Sequence, residues 1–199
     1  YRGYRNHPEF DSPALDFFSK RAARPCWIGT TVKDSPLNVL GNALDKVENR
    51  LFIIGQNLFS LTQDRHGFKT KLFLLLKSKS IHIDILICEN VDYIVKSMTD
   101  LTAPEFGNDL EHSIKIFHDW QNDIKNNKWP GSINVRFSRK LGNLSLTFFD
   151  PGDDHGMLLL TPVVQSHASG RPCVWLTKKE HTHIFNHYQM VYESMLRDI

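Results

Sequence analysis

The chain has 199 residues, of which 41% are hydrophobic and 23% charged, so its composition is that of a globular protein of one domain. Lys and Arg total 24 and Asp and Glu total 22, and the net charge of +2 excludes a strongly basic nucleic-acid tail. The longest apolar run, 72–76, has five residues, far fewer than the roughly 20 that a membrane span needs. We therefore expect no membrane association.

The first 46 residues carry only short structural signals. Ser12-Pro13 and Ser35-Pro36 are each typical of a helix start, with Ser as the N-cap and Pro at the first helical position. Between them, 26–28 is a candidate short strand. These signals predict a helical and irregular N-terminal extension over 1–46, followed by a domain over 47–199.

The domain opens with a pattern typical of parallel strands joined by a helix. Residues 51–55 form a continuous apolar run, which indicates a buried central strand. Apolar residues at helical spacing follow over 68–76, and a second apolar strand is predicted over 81–87. Two strands joined by a helix predict a right-handed βαβ unit.

The second half of the domain begins with a strongly periodic helix over 106–124. Four strands are predicted after it, over 133–137, 144–149, 157–161 and 173–176. The turn-rich segment 150–156 predicts that the second and third of these form an antiparallel hairpin. A closing helix is indicated by Ile184, Tyr188, Val191 and Met195. The predicted fold class is therefore α/β, with a mixed central sheet and helices on both faces.

This order of elements over 47–197 resembles the phospholipase-D-like (HKD) superfamily, and in particular the degenerate modules found in bacterial regulatory proteins. That family carries the motif HxKxxxxD. The segment 143–150 keeps its spacing, with Asn143 in place of the His, Ser145 in place of the Lys, and Asp150 in place of the Asp. An amide is a poor nucleophile and Ser carries no charge, so the family's covalent mechanism is not expected here. The resemblance also implies a homodimer.

Candidate ligand-binding residues follow from position and charge. Gln56 and Asn57 come directly after a strand, where α/β sheets bind ligands, and their amides could read a base or a phosphate. Arg136 and Arg139 could bind phosphate. Lysines off the apolar face of the helix over 68–76, or just after it, could add to such a surface: Lys69, Lys71, Lys77 and Lys79. A nucleotide or nucleic-acid ligand is the predicted partner.

The principal functional hypothesis is a PLD-like module that binds a ligand or partner without catalysis, with no cofactor and no metal. His183 and His187 are four residues apart, but no third ligand accompanies them. The three cysteines are widely spaced and form no CxxC pair, which favours a reducing compartment and a cytoplasmic location. The chain begins with Tyr1 rather than Met, and this leaves open whether it belongs to a longer protein with a neighbouring domain.

Two enzymatic alternatives stay open. The first is a phosphodiesterase or nuclease that uses His155 as nucleophile or base, with Asp150 or Asp154 to orient it. The second is a nucleotide-processing, glycosidase-like enzyme that uses Gln56, Asn57 and Asp84. A fully parallel sheet would favour the second alternative, and an antiparallel hairpin would count against it.

Overall fold

A computed structural model describes residues 26–28, 41, 43–56, 58–63, 67–88, 103–138, 144–162 and 173–197. Within these ranges the strands are β1 (Cys26–Ile28), β2 (Arg50–Gly55), β3 (His82–Cys88), β4 (Ser132–Ser138), β5 (Leu144–Phe149), β6 (Met157–Pro162) and β7 (Cys173–Thr177). The helices are α1 (Phe59–Thr62), α2 (Phe68–Ser78), α3 (Ala103–Asn126) and α4 (Thr182–Arg197).

All of these strands belong to one mixed sheet with the order β1-β7-β6-β5-β2-β3-β4. Strands β2, β3 and β4 run parallel, and the other neighbours are antiparallel. The predicted α/β class is confirmed, and so is the antiparallel β5–β6 hairpin. The sheet is not fully parallel, which counts against the glycosidase-like alternative.

One face of the sheet is covered by α4 through aromatic rings. The Phe52 ring lies 4.3 Å from the Tyr192 ring, and the Phe148 ring lies 5.6 Å from the Phe185 ring. All four side chains are at least 96% buried. Burial of a large ring contributes on the order of 2 kcal/mol, so this layer fixes α4 against the middle of the sheet.

The opposite face carries α2 and α3. Both helices connect neighbouring parallel strands in the same direction, and right-handed crossovers therefore place them on one side. The two helices join through edge-to-face rings, with Phe73 5.3 Å from Trp120. The buried residues of α2 are the ones that the helical period predicts: Phe68, Leu72, Leu75 and Leu76.

Three details differ from the sequence-based expectation. The short helix α1 has no period from which it could be predicted. In α4 the fully buried residues are Phe185 and Tyr192, whereas the predicted stripe of Ile184, Tyr188, Val191 and Met195 is half-buried. Strand β1 pairs with β7, so residues 26–28 of the predicted extension join the sheet. The helices expected after Ser12 and Ser35 lie outside the described residues, apart from the end of the second.

Candidate functional site

The predicted catalytic residues and the predicted binding residues lie at opposite ends of β2. Because β5 runs antiparallel to β2, the end of β5 lies beside the start of β2. Asp150, Asp154 and His155 therefore lie at the amino end of β2. Gln56 and Ser145 lie at its carboxyl end. Asn57, Asn143 and Arg139 are outside the described residues. The predicted residues that the structure does describe are divided between the two ends of β2 and do not form one site.

At the amino end, both oxygens of the Asp150 carboxylate accept hydrogen bonds from backbone N–H groups. Its Oδ1 accepts hydrogen bonds from the N–H groups of Asn49 and Arg50 at 2.8 and 2.7 Å, and its Oδ2 accepts one from Glu48 at 2.8 Å. The residue is buried and adopts a left-handed φ of 44°. This arrangement fixes the start of β2 against the end of β5. The catalytic role of Asp150 stays a prediction, and the observed contacts are those of a scaffold residue.

The other two predicted catalytic residues lie at the tip of the β5–β6 turn. Asp154 and His155 are both exposed, and the described part of the chain offers neither of them a hydrogen-bond partner. The base of the turn is held from outside by Lys178, whose Nζ donates to the carbonyl of Pro151 at 3.0 Å. Nothing in this geometry orients the imidazole of His155 for chemistry.

A cleft of about 520 Å³ opens between this turn and the carboxyl half of α4. Its floor contains Phe52 and Tyr192, and its rim carries groups of both charges, including Arg50, Asp153 and Glu193. Arg50 and Phe52 line this cleft from β2. The Arg50 guanidinium lies 4.3 Å from the centre of the Phe52 ring, a cation–π contact.

Arg50 also pairs with a buried carboxylate on the neighbouring strand. Its Nη2 donates to Asp84 Oδ2 at 2.9 Å, and the Asp84 side chain is only 3% exposed. Asp84 Oδ1 accepts from Asn134 at 3.2 Å and lies 3.3 Å from His82 Nε2. The carboxylate is thus satisfied on both oxygens. Sequence reasoning missed the partners Arg50 and His82, although the alternation of His82 and Asp84 places both on one face of β3.

Tyr192 is the polar group that this region leaves without a partner. Its ring is 99% buried, and its hydroxyl has no hydrogen-bond partner among the described residues. Burial raises the pKa of Tyr192 above its ordinary value, and the nearby charge of Asp84 raises it further, against smaller opposite effects of Arg50 and Arg136. The phenol therefore stays protonated at neutral pH.

At the carboxyl end of β2 the chain turns tightly beside β5. The hydroxyl of Ser145 donates to the carbonyl of Ile54 at 2.9 Å. A Cβ at Gly55 would collide with the Leu58 side chain and would lie 2.9 Å from Ser145 Oγ, so a larger residue there would have to displace these side chains. Gln56 follows, 93% buried, and its Nε2 has no hydrogen-bond partner in the described structure. This amide is a buried donor at the position where parallel strands usually meet a ligand.

The predicted basic surface is largely engaged by the protein itself. Lys71 and Lys79 donate to the backbone carbonyls of Gly41 and Val47. Lys77 Nζ lies 4.7 Å from the Trp129 ring, and Lys69 Nζ lies 5.4 Å from the Phe73 ring. Arg136 is half-buried on β4, opposite Leu86 of β3 and two strands away from β2. These residues do not converge on Gln56.

The described residues give no grounds for a membrane span or a metal centre. None of their helices combines the length and the apolar character that crossing a bilayer requires. None of their His, Cys, Asp and Glu side chains gather in threes at metal-binding distance. Both findings concern only the described part of the chain.

Comparison with known proteins gives matches among solved structures. No protein-family model and no curated protein matches the chain. The fold is similar to that of TrmBL2, an archaeal chromatin protein whose structure is described as showing a novel mode of DNA binding. The TM-score is 0.39 and the identity 14%, over 81% of this chain and 50% of that one. The match thus spans half the length of TrmBL2.

Proposed function

We propose that this chain is a non-catalytic binding module, of the degenerate PLD-like kind found in regulatory proteins, that holds a nucleotide at the carboxyl end of β2. The observation that carries the proposal is the unpaired amide of Gln56. A donor buried without a partner costs on the order of 1–3 kcal/mol. A bound ligand with an acceptor atom recovers that free energy.

Gln56 differs from the other two buried polar groups that lack a partner among the described residues. Those groups are Trp120 Nε1 and the Tyr192 hydroxyl. Both belong to large rings whose apolar burial offsets the cost of one lost hydrogen bond. The Gln56 side chain offers no comparable apolar surface. Its burial is therefore not explained by packing, and this favours a role in binding.

The side chains that occupy motif positions in the described structure support binding rather than catalysis. Ser145 stands where the family has its phosphate-holding Lys, and its hydroxyl donates to the Ile54 carbonyl. Asp150 accepts three backbone hydrogen bonds. Neither group is a cation or a free base. A phosphoryl-transfer site needs a nucleophile and positive charge at the transferred group, and these positions supply neither.

The chemistry of an amide suggests which nucleotide to try first. A Gln side chain can pair with adenine by donating from Nε2 to N7 and accepting at Oε1 from the N6 amino group. Guanine presents acceptors at both N7 and O6, so in the same orientation Nε2 can donate to one of them, but Oε1 has no donor to accept from. We therefore expect AMP to bind more tightly than GMP, and both to bind more tightly than inorganic phosphate.

Isothermal titration with AMP, GMP and inorganic phosphate tests the proposal. Gln56→Leu keeps the size of the side chain and removes its donor, and it should weaken AMP binding by about tenfold or more. Gln63→Leu makes the same substitution at an exposed position and serves as the matched control. Failure of the wild-type chain to bind any of the three probes, or equal affinity of Gln56→Leu and wild type, overturns the proposal.

The enzymatic alternative is tested in the same preparation. Hydrolysis of bis(p-nitrophenyl) phosphate is measured for the wild-type chain and for His155→Ala, with and without EDTA. We expect no turnover above background. Turnover that survives EDTA and is lost in His155→Ala would replace the binding proposal with a phosphodiesterase whose site lies at the hairpin turn.

A further inference from the structure

Strand β4 is the last strand of the sheet, and within the described residues it pairs only with β3. We propose that two copies of this chain join through β4, side by side and antiparallel, with Val135 on the two-fold axis. The result is one continuous sheet across the dimer. This interface lies away from the Gln56 site and is independent of the proposed function.

The backbone of β4 shows which of its groups are open. The N–H of Ser132 donates to the carbonyl of Ile81 at 2.9 Å, so the even-numbered residues of β4 bond to β3. The N–H and C=O groups of Ile133, Val135 and Phe137 therefore point away from the sheet. The Nε2 of Gln121 donates to the outward carbonyl of Ile133 at 3.1 Å, which confirms this direction.

A two-fold axis at Val135 places the outward N–H and C=O groups of one copy opposite those of the other. Val135 faces its own copy, and Ile133 faces Phe137 of the partner subunit. Each such pair exchanges two N–H to C=O hydrogen bonds in an antiparallel ladder. The Ile133 carbonyl has two lone pairs, so it can accept from the partner while it keeps its bond to Gln121.

The side chains of β4 are also complementary to themselves about this axis. On one face Ile133 meets Phe137 and Val135 meets Val135, so apolar groups meet apolar groups. On the other face Asn134 meets Arg136, which keeps the two arginines from facing each other directly. Val135 and Phe137 are half-buried in the single chain, and pairing would cover their remaining surface.

Four of the features that usually prevent such pairing are absent from the strand. Exposed edge strands are commonly protected by proline, by lysine, by a bulge or by very short length. Strand β4 has seven residues, contains no Pro and no Lys, and pairs with β3 in unbroken register. Because the pattern of its residues is nearly symmetric about Val135, a second copy of this chain is the occupant that fits best.

Sedimentation equilibrium of the full chain tests the association. We expect a mass of twice 23.0 kDa. Val135→Pro removes an N–H that points outward, and so spares the bonds to β3; it should give a monomer with an unchanged far-UV spectrum. Leu74→Lys, at a 61% exposed apolar position on α2, is the control that should stay dimeric. A monomeric wild type, or a folded Val135→Pro that remains a dimer, overturns the proposal.

Engineered cysteines test the register even if Val135→Pro fails to fold. Opposed residues in a bonded antiparallel pair lie about 5.5 Å apart at Cα, which a disulfide can span. Val135→Cys should form a covalent dimer under mild oxidation by copper phenanthroline. Phe137→Cys should not, because the two copies of that residue lie roughly 14 Å apart along the ladder. Cross-linking of the wild-type chain under the same conditions measures the contribution of the three native cysteines. Equal cross-linking of the two variants, or none in Val135→Cys, overturns the assignment.

Discussion

The polar side chains that the strands and their ends bury are hydrogen-bonded differently at the two ends of β2, apart from the unpaired Tyr192 hydroxyl that α4 brings to the amino end. At the amino end, the Asp150 carboxylate accepts three backbone N–H groups, and the nearby Asp84 is satisfied on both oxygens. At the carboxyl end, the amide of Gln56 is buried with a donor that has no described partner. A satisfied group stabilises the fold, whereas an unsatisfied one costs free energy in the absence of a ligand. The contacts at the first end are those of a scaffold, and the second end is where we propose the binding site.

The largest effect is expected from removing the carboxylate at the amino end. Asp150→Ala leaves three backbone donors without a partner, and we expect the free energy of unfolding to fall by about 3 kcal/mol. Urea denaturation measures it. Asp154→Ala, in the exposed turn two residues beyond Gly152, should change stability by less than about 0.5 kcal/mol. Equal effects of the two substitutions would contradict the scaffold role of Asp150.

A smaller loss is expected from the ion pair beside the cleft. Arg50→Met leaves the carboxylate of Asp84 buried without its cation and should cost about 2 kcal/mol, because the Arg50 side chain is 48% exposed and solvent screens the pair. Asp84→Asn should cost less, since it leaves a half-exposed guanidinium that water can solvate. Thermal denaturation of both variants gives the order. The reverse order would show that Asp84 depends on Asn134 and His82 rather than on Arg50.

At the carboxyl end the expected sign is opposite. Gln56→Leu removes a buried donor without a partner and should raise the free energy of unfolding by about 1–2 kcal/mol, while it weakens nucleotide binding. The stability measurement is made without ligand, and Gln63→Leu is again the control. A loss of stability in Gln56→Leu would mean that the amide is satisfied in the folded chain. The contrast between the two ends would then disappear.

The smallest effect at neutral pH is expected from Tyr192→Phe, which removes the unpaired hydroxyl and should stabilise the chain by about 0.5–1 kcal/mol. Burial raises the pKa of Tyr192 above its ordinary value of about 10. The unfolded chain therefore loses this proton first, and wild-type stability should fall as the pH rises above about 10. The phenylalanine variant should fall less over that range. Parallel curves for both chains would contradict the buried phenol.

Most of the fold is predictable because its signals are local. Strand β2 contains a continuous apolar run, β3 alternates before it turns apolar, and α2 and α3 keep a helical period over several turns. The four-residue helix α1 is too short to show a period. In α4 the period locates the helix but misplaces its buried face by about one residue. The buried face of α4 is determined by its packing against Phe52 and Phe148 of the sheet. The sequence of α4 alone carries no information about that packing.

The site is less predictable because its contacts join distant residues. The position of Gln56 after an apolar strand marks it as a candidate. Whether its amide finds a partner depends on how distant parts of the chain pack beside it. One such part is β5, whose Ser145 bonds to Ile54 from 91 positions away. The interaction of Asp150 with residues 48–50 spans about 100 positions. No local pattern predicts such a contact, and the motif spacing assigned Asp150 a different role.

The long span of the Asp150 contact also affects how the chain acquires its structure on the ribosome. At roughly 5–20 residues per second, Asp150 emerges some 5–20 s after Arg50. Strands β2 and β3 can pair early, but the other side of β2 stays open until β5 has been synthesised. During that interval the nascent chain exposes an apolar strand to other chains and to chaperones. Synonymous codons that slow translation between β3 and β5 would lengthen this vulnerable stage without changing the native protein.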